Sequence, residues 1–204
     1  LRIGTATDAE GNIYNIATGK DVETVFSNIS AKATFPLIIG DSATFYPDAD
    51  PETSSVDGCV WRYRGAGTTW SGIREGDGTY SDDSGAGNVG WQIRFTDTMF
   101  VFLGRSIYLF DTSSVSGYVD AASLHLYAYA KTNDGFDSDK ADTNVFSSDP
   151  NSNTSLVVDD YYYTKFGESE YAISKSYTDI TLSAYNEFVF NSTGMANVNL
   201  GGIT

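Results

Sequence analysis

Few residues in this chain have the type and spacing to do chemistry, and what they lack narrows the choices. His125 is the single histidine and Cys59 the single cysteine among 204 residues. A Ser-His-Asp relay needs a histidine held through both ring nitrogens, and zinc sites draw on several His or Cys ligands. Neither can be assembled here from one chain. His125 reads instead as a tolerated polar residue on the outer face of a strand, and Cys59 as a small buried residue within the strand-like run Ser55 to Tyr63. Glycoside hydrolysis needs only two carboxyl groups, about 5–10 Å apart. The acids here sit mostly in turns, where water solvates them and leaves them untuned for proton transfer. The chain is therefore expected not to be an enzyme.

Two other kinds of side chain are grouped. Asp48, Asp50, Glu52 and Asp57 form one acidic cluster, and Asp134, Asp137, Asp139 and Asp142 another. Calcium takes six to eight oxygens, which two or three carboxylates and loop carbonyls can supply, although neither cluster has the EF-hand spacing. Calcium is the one cofactor the sequence suggests; the competing reading is ordinary solvated loops. The aromatic residues Trp61, Tyr63, Trp70, Tyr80 and Trp91 fall in or beside loops, and Tyr127 and Tyr129 share a strand face. An exposed flat ring can cover the C–H face of a pyranose while neighbouring polar groups take the hydroxyls. For Trp61, Trp70 and Trp91 the core is the favoured place, since a tryptophan in a strand-rich domain is mostly buried.

These side chains need a frame, and the sequence describes one made of strands. Ser123 to Ala130 alternates, with Leu124, Leu126, Ala128 and Ala130 on one face and Ser123, His125, Tyr127 and Tyr129 on the other. A period of two marks a half-buried strand. Short strands are expected near 43–46, 55–63, 70–74, 89–95, 99–110, 123–130, 143–147, 171–174, 178–182 and 185–190. Helix is expected only near 21–29, 157–163 and 193–198. Segments such as Glu75 to Asn88 read as Gly, Asp and Ser loops with no packing face. Many short strands joined by glycine-rich turns predict an all-β fold, a jelly-roll-like antiparallel β-sandwich. Residues 1–40 stand apart as a short N-terminal arm or anchoring segment. It holds a strand near 12–17 and a small helix capped by Asp21, before the module at 41–204.

One stretch carries a resemblance. "RSIYLFDTSSV" followed by "VDAASLHLYAYAK" resembles DNRLRE-type β-sandwich modules, a group that includes carbohydrate-binding modules beside polysaccharide-degrading enzymes. The matching residues are Arg105, Phe110, Asp111, Ser113, Ser114, Ala122, Leu124, Leu126 and Tyr127. The flanks Thr44 to Arg62, Thr69 to Thr79 and Ser155 to Gly167 are similar to variants in phage and environmental surface proteins. The resemblance spans about residues 43 to 200 and lies mostly in strand and corner residues. The N-terminal arm, the absence of catalytic residues and the tyrosine-rich strand faces lead to the expectation of a non-catalytic structural surface module, a phage virion component such as a capsid decoration, fibre or tail protein. The alternative, which the resemblance implies, is a carbohydrate-binding module of an extracellular enzyme or adhesin, with Trp61, Tyr63, Trp70, Trp91, Tyr127 and Tyr129 as candidate contacts. Modules of this pattern usually continue past the position of Thr204, so closing strands are expected to be missing, leaving an open edge beside residues 185–190.

Composition bears on partners. With 27 acids against 12 bases the formal charge is −15, and no basic cluster exists to meet phosphates. Nucleic acid is therefore excluded as an expected partner. No apolar run is long enough to span a bilayer, so no membrane insertion is expected. The expected partners are other copies of the chain, other virion or surface proteins, and cell-surface glycans. The expected location is a virion surface or the extracellular space.

Overall fold

The computed structural model describes residues 3–7, 13–17, 38–39, 43–84, 92–95, 99–115, 119–131 and 142–204. The chain divides into two compact units, Leu1–Thr44 and Phe45–Thr204. In the first, β1 (Ile3–Thr7) pairs antiparallel with β2 (Ile13–Ala17) and with β3 (Ile38–Ile39). The strand expected near 12–17 is present. Ile38 and Ile39, at the end of the segment 1–40, pair with Thr7 and Ala6. The helix expected at 21–29 lies outside the described residues.

The second unit is built of antiparallel strands with few helices. Its largest sheet has the order β5-β4-β7-β6, formed by β4 (Asp57–Thr68), β5 (Tyr80–Asp82), β6 (Gln92–Phe95) and β7 (Phe100–Tyr108). Alternation sends Val60 and Ile107 to one face, where they join Val56, Leu109, Leu156 and Tyr161 in a buried cluster. Trp61 and Tyr63 point to the other face. Cys59 is buried, as expected.

Residues 70–74, expected as a strand, are helical: α1 runs Trp70–Glu75. Thr69 explains the start, since its hydroxyl accepts the Gly72 N–H at 3.1 Å as an N-cap. Among its side chains only Ile73 is buried, too little to sustain two turns alone. Three long side chains hold the end of the helix and the turn after it. The Tyr161 hydroxyl donates to the Ile73 carbonyl (2.6 Å), and Arg105 donates to the carbonyls of Arg74 (2.8 Å) and Tyr161. Arg62 donates to the Asp77 carbonyl at 2.8 Å. Carbonyls at a helix end have no partner within the helix, and donors from elsewhere in the fold satisfy them. The Tyr162 hydroxyl also bonds the Asp77 carboxylate at 2.6 Å, and a side chain at Gly78 would run into the Val158 carbonyl. The start of the Glu75 to Asn88 segment is thus closely packed, contrary to its reading as a loop without a packing face.

A two-stranded sheet joins β8 (Ser123–Ala128) to β11 (Ala184–Val189). Between them in sequence lie β9 (Asp142–Thr143) and β10 (Lys175–Ser176), which pair with each other. The expected helical pieces near 157–163 and 193–198 are found as short 3-10 turns at Val158–Tyr161 and Tyr163–Lys165 and as α2 (Ser192–Ala196). Residues 43–46, 171–174 and 178–182 form no strand, apart from an isolated bridge at Ala172. The 178–182 segment is instead held by the buried Asn186, which accepts the Thr181 N–H (2.8 Å) and donates to its carbonyl (3.0 Å). Among the described residues no helix is long and apolar enough to cross a membrane.

The alternation read in residues 123–130 holds through Tyr129, whereas Ala130, expected with the inward set, is exposed beyond the end of the strand. Leu124, Leu126 and Ala128 pack against Ala172, Ile180 and Phe188, while His125, Tyr127 and Tyr129 are exposed. Leu126→Ala should cost about 2 kcal/mol or more, and His125→Ala less than about 1 kcal/mol. Urea denaturation of the two variants checks this; equal losses would contradict the assigned faces.

Two phenols bear on the stability of the fold at alkaline pH. Burial pushes Tyr108 and Tyr161 each up to about 12. An unfolded tyrosine titrates at about 10. Their folded pKa values are raised, so the stability they contribute is fully present below about pH 10 and is lost as pH rises through about 12. The urea midpoint should fall across that window, together with the rise of phenolate absorbance. A midpoint unchanged over the same range would contradict the burial of both rings.

Candidate functional site

The outward face of the four-stranded sheet gathers aromatic side chains by cross-strand register. Trp61 on β4 stands opposite Tyr80 on β5 and Gly104 on β7, and Gln92 on β6 is opposite Gly104. The Trp61 and Tyr80 rings lie 4.4 Å apart, tilted by 31°. In the next row Tyr63 and Arg94 flank Phe102 from its two sides. The Phe102 ring is 6.3 Å from Trp61, and the Arg94 guanidinium sits 5.3 Å above it. Arg94 also donates to the Gln92 side-chain oxygen at 3.2 Å. Gly104 adds no side chain between Trp61 and Gln92, and the Phe102 ring lies over it, 3.2 Å from where a Cβ would stand. Tyr63 and Tyr80 are each more than half exposed.

Trp61 is only partly buried, and Trp70, expected mainly in the core, is exposed at 45%. The Trp70 ring rests 5.2 Å from Phe100. Trp70 is the first residue of α1 and stays exposed, while Ile73 is the buried residue of the helix. Trp91 lies outside the described residues.

A second exposed face belongs to β8 and β11. Tyr127 and Tyr185 are directly paired, with edge-to-face rings 5.3 Å apart. Val189 and Tyr129 add further exposed apolar surface. His125 stands opposite Glu187. Its Nε2 lies 3.0 Å from the Ser123 hydroxyl and 3.5 Å from the Glu187 carboxylate. A relay needs the acid on one ring nitrogen and the hydroxyl on the other. Here both meet the same nitrogen on an open surface, so this trio is not arranged as a relay.

No family model, curated protein or solved structure matches the chain. The reading of these faces therefore rests on their own geometry.

In the acidic cluster at 48–57, Asp48 organises its loop. One carboxylate oxygen accepts the N–H and hydroxyl of Thr53 (3.0 and 2.9 Å) and those of Ser54 (2.6 and 2.9 Å). These bonds, led by the Thr53 hydroxyl, hold its carboxyl well below the usual carboxylate range. Asp57 is shifted the other way by burial. Asp50 is exposed and Glu52 partly buried. Among the described residues no three Asp, Glu, His or Cys side chains are grouped to hold a metal ion. Asp134, Asp137 and Asp139 lie outside the described residues.

Sequence reasoning missed Phe102, Gly104, Gln92, Arg94 and Tyr185 as members of these faces. Each belongs through strand register, and a period of two gives a residue's face without giving its partner. Tyr185 carried the clearest signal, since it starts the strand-like run YNEFVF.

Proposed function

We propose that the chain is a non-catalytic structural surface module, a jelly-roll-like β-sandwich of DNRLRE type that works by associating with other proteins. Its setting would be a phage virion, as a decoration, fibre or tail component, exposed on the virion surface or in the extracellular space. The observation that carries the reading is the outer face at β8 and β11, where Tyr127, Tyr129, Tyr185 and Val189 are all more than half exposed. Large apolar surface gathered on one sheet face is characteristic of interaction sites. Light scattering on the purified chain is the test. A mass above one chain, lowered by Tyr127→Ser with Tyr185→Ser, is the expected result; a single-chain mass at all concentrations would count against self-association.

The shelf of Trp61, Tyr80 and Phe102 favours a second reading, glycan binding. Its rings would cover a pyranose face while Gln92 and Arg94 took the hydroxyls. A glycan array would decide, with Trp61→Ala abolishing any signal that arises at this shelf.

A further inference from the structure

The two-stranded sheet of β8 and β11 has two outer edges, and they differ in what they could accept. The Phe190 N–H bonds the Ala122 carbonyl at 2.9 Å, just beyond the ends of the paired strands. In an antiparallel ladder this fixes the parity. Residues 122, 124 and 126 turn their backbone groups toward β11, and Ser123, His125 and Tyr127 turn theirs to the far edge. Along that edge these three have no backbone partner among the described residues. By the same parity Tyr185, Glu187 and Val189 face the outer edge of β11, where they too have no backbone partner among the described residues.

A second copy is the simplest polypeptide that could dock on either edge, and a two-fold axis would set each strand against itself. Charge separates the two choices. An axis through the middle of β11 would set Glu187 directly opposite its own copy, and like charges directly opposite are destabilising. An axis through the middle of β8 would set His125 opposite its copy, with Ser123 opposite Tyr127 on the same face. On the inner face it would set Leu124 opposite Leu126. No Asp, Glu, Lys or Arg lies in the run SLHLYA. Unlike many exposed edge strands, this one carries no charge that would repel a neighbour.

We infer that the outer edge of β8 pairs antiparallel with the β8 edge of a second copy, about a two-fold axis at His125. The combined sheet runs β11-β8-β8-β11. It joins the exposed face of Tyr127 and Tyr185 on one copy to the same face on the other, and the new main-chain bonds add to that apolar surface. The inference deepens the assembly reading and rests on it.

Site-directed cross-linking tests the register. His125 is exposed, so His125→Cys should shift the urea midpoint no more than His125→Ala does. Residues directly opposite across such a ladder have Cα atoms about 5.5 Å apart, within the range a disulfide spans. Under mild oxidation His125→Cys should form a reducible dimer at least about tenfold faster than Ser123→Cys or Glu187→Cys, each on the unmodified background with the buried Cys59 in place. Equal rates for His125→Cys and Ser123→Cys overturn the inference, as does faster cross-linking through Glu187→Cys or none at His125→Cys. The mass of the unmodified chain by light scattering is read separately. A mass above one chain without the His125 cross-link sinks this edge and spares self-association, whereas a single-chain mass sinks both.

Discussion

Tyr161→Ala should be the most destabilising single change in the second unit. The side chain is fully buried in the cluster of Val56, Val60, Ile107, Leu109 and Leu156. Removing a buried aromatic ring costs about 3–5 kcal/mol. The hydroxyl adds its own share, because without it the Ile73 carbonyl loses its 2.6 Å donor at the end of α1. An unsatisfied buried acceptor costs about 1–3 kcal/mol. Against a typical domain stability of about 5–15 kcal/mol, the sum is a large fraction of the whole. Tyr161→Phe separates the two contributions, keeping the ring and losing only the hydrogen bond, and should cost about 1–3 kcal/mol. Urea denaturation of both variants is the measurement. A phenylalanine variant as unstable as the alanine one would show that the ring is not what fills the core.

Arg105→Met should be the next most costly. The guanidinium lies between two rings, 4.4 Å from the centre of Tyr161 and 4.9 Å from that of Phe166. It donates to the carbonyls of Tyr161 and Arg74. Methionine keeps much of the volume but leaves two acceptors without a donor, so a loss of about 2–4 kcal/mol is expected. Arg105→Lys should recover little of it, since an ammonium lacks the planar fork that spans two carbonyls and stacks between rings. Full recovery of the urea midpoint by lysine would mean that charge alone, without the fork, suffices.

The strands that alternate were legible. Ser123 to Ala128 could be read with its faces, because half-burial imposes a period of two on side-chain type. The segment Trp70 to Glu75 was misread because so short a run fits either period. What decided it, the Thr69 cap and the carbonyl donors Tyr161 and Arg105, comes partly from residues distant in sequence. The same distance hid the aromatic shelf: Tyr80 and Phe102 meet Trp61 only through register across β5, β4 and β7. An open edge was expected beside residues 185–190. Phe190 there bridges Ala172, and the Asn191 N–H bonds the Tyr171 carbonyl at 2.7 Å. Along Ala184 to Val189 only β8 pairs with β11 among the described residues. The far edge of β8 left no trace in the alternation, since a period of two records which face is covered and is silent about which edge has a neighbour.

The two inward arginines answer to ionic strength differently from the charges outside. Arg62 is buried, and neither it nor Arg105 forms an ion pair with a carboxylate among the described residues. Both instead direct their donors at main-chain carbonyls. Asp160 is buried as well as Arg62, so the interior charges offset and the solvent-facing shell carries most of the formal −15. Like charges on that shell repel across a range set by the Debye length, about 8 Å at physiological salt and about 30 Å at 0.01 M. Dilute buffer therefore loosens the compact state and added salt tightens it. The interior cations are sheltered from the same screening, so salt relieves the repulsion outside without weakening the arginine clamps within.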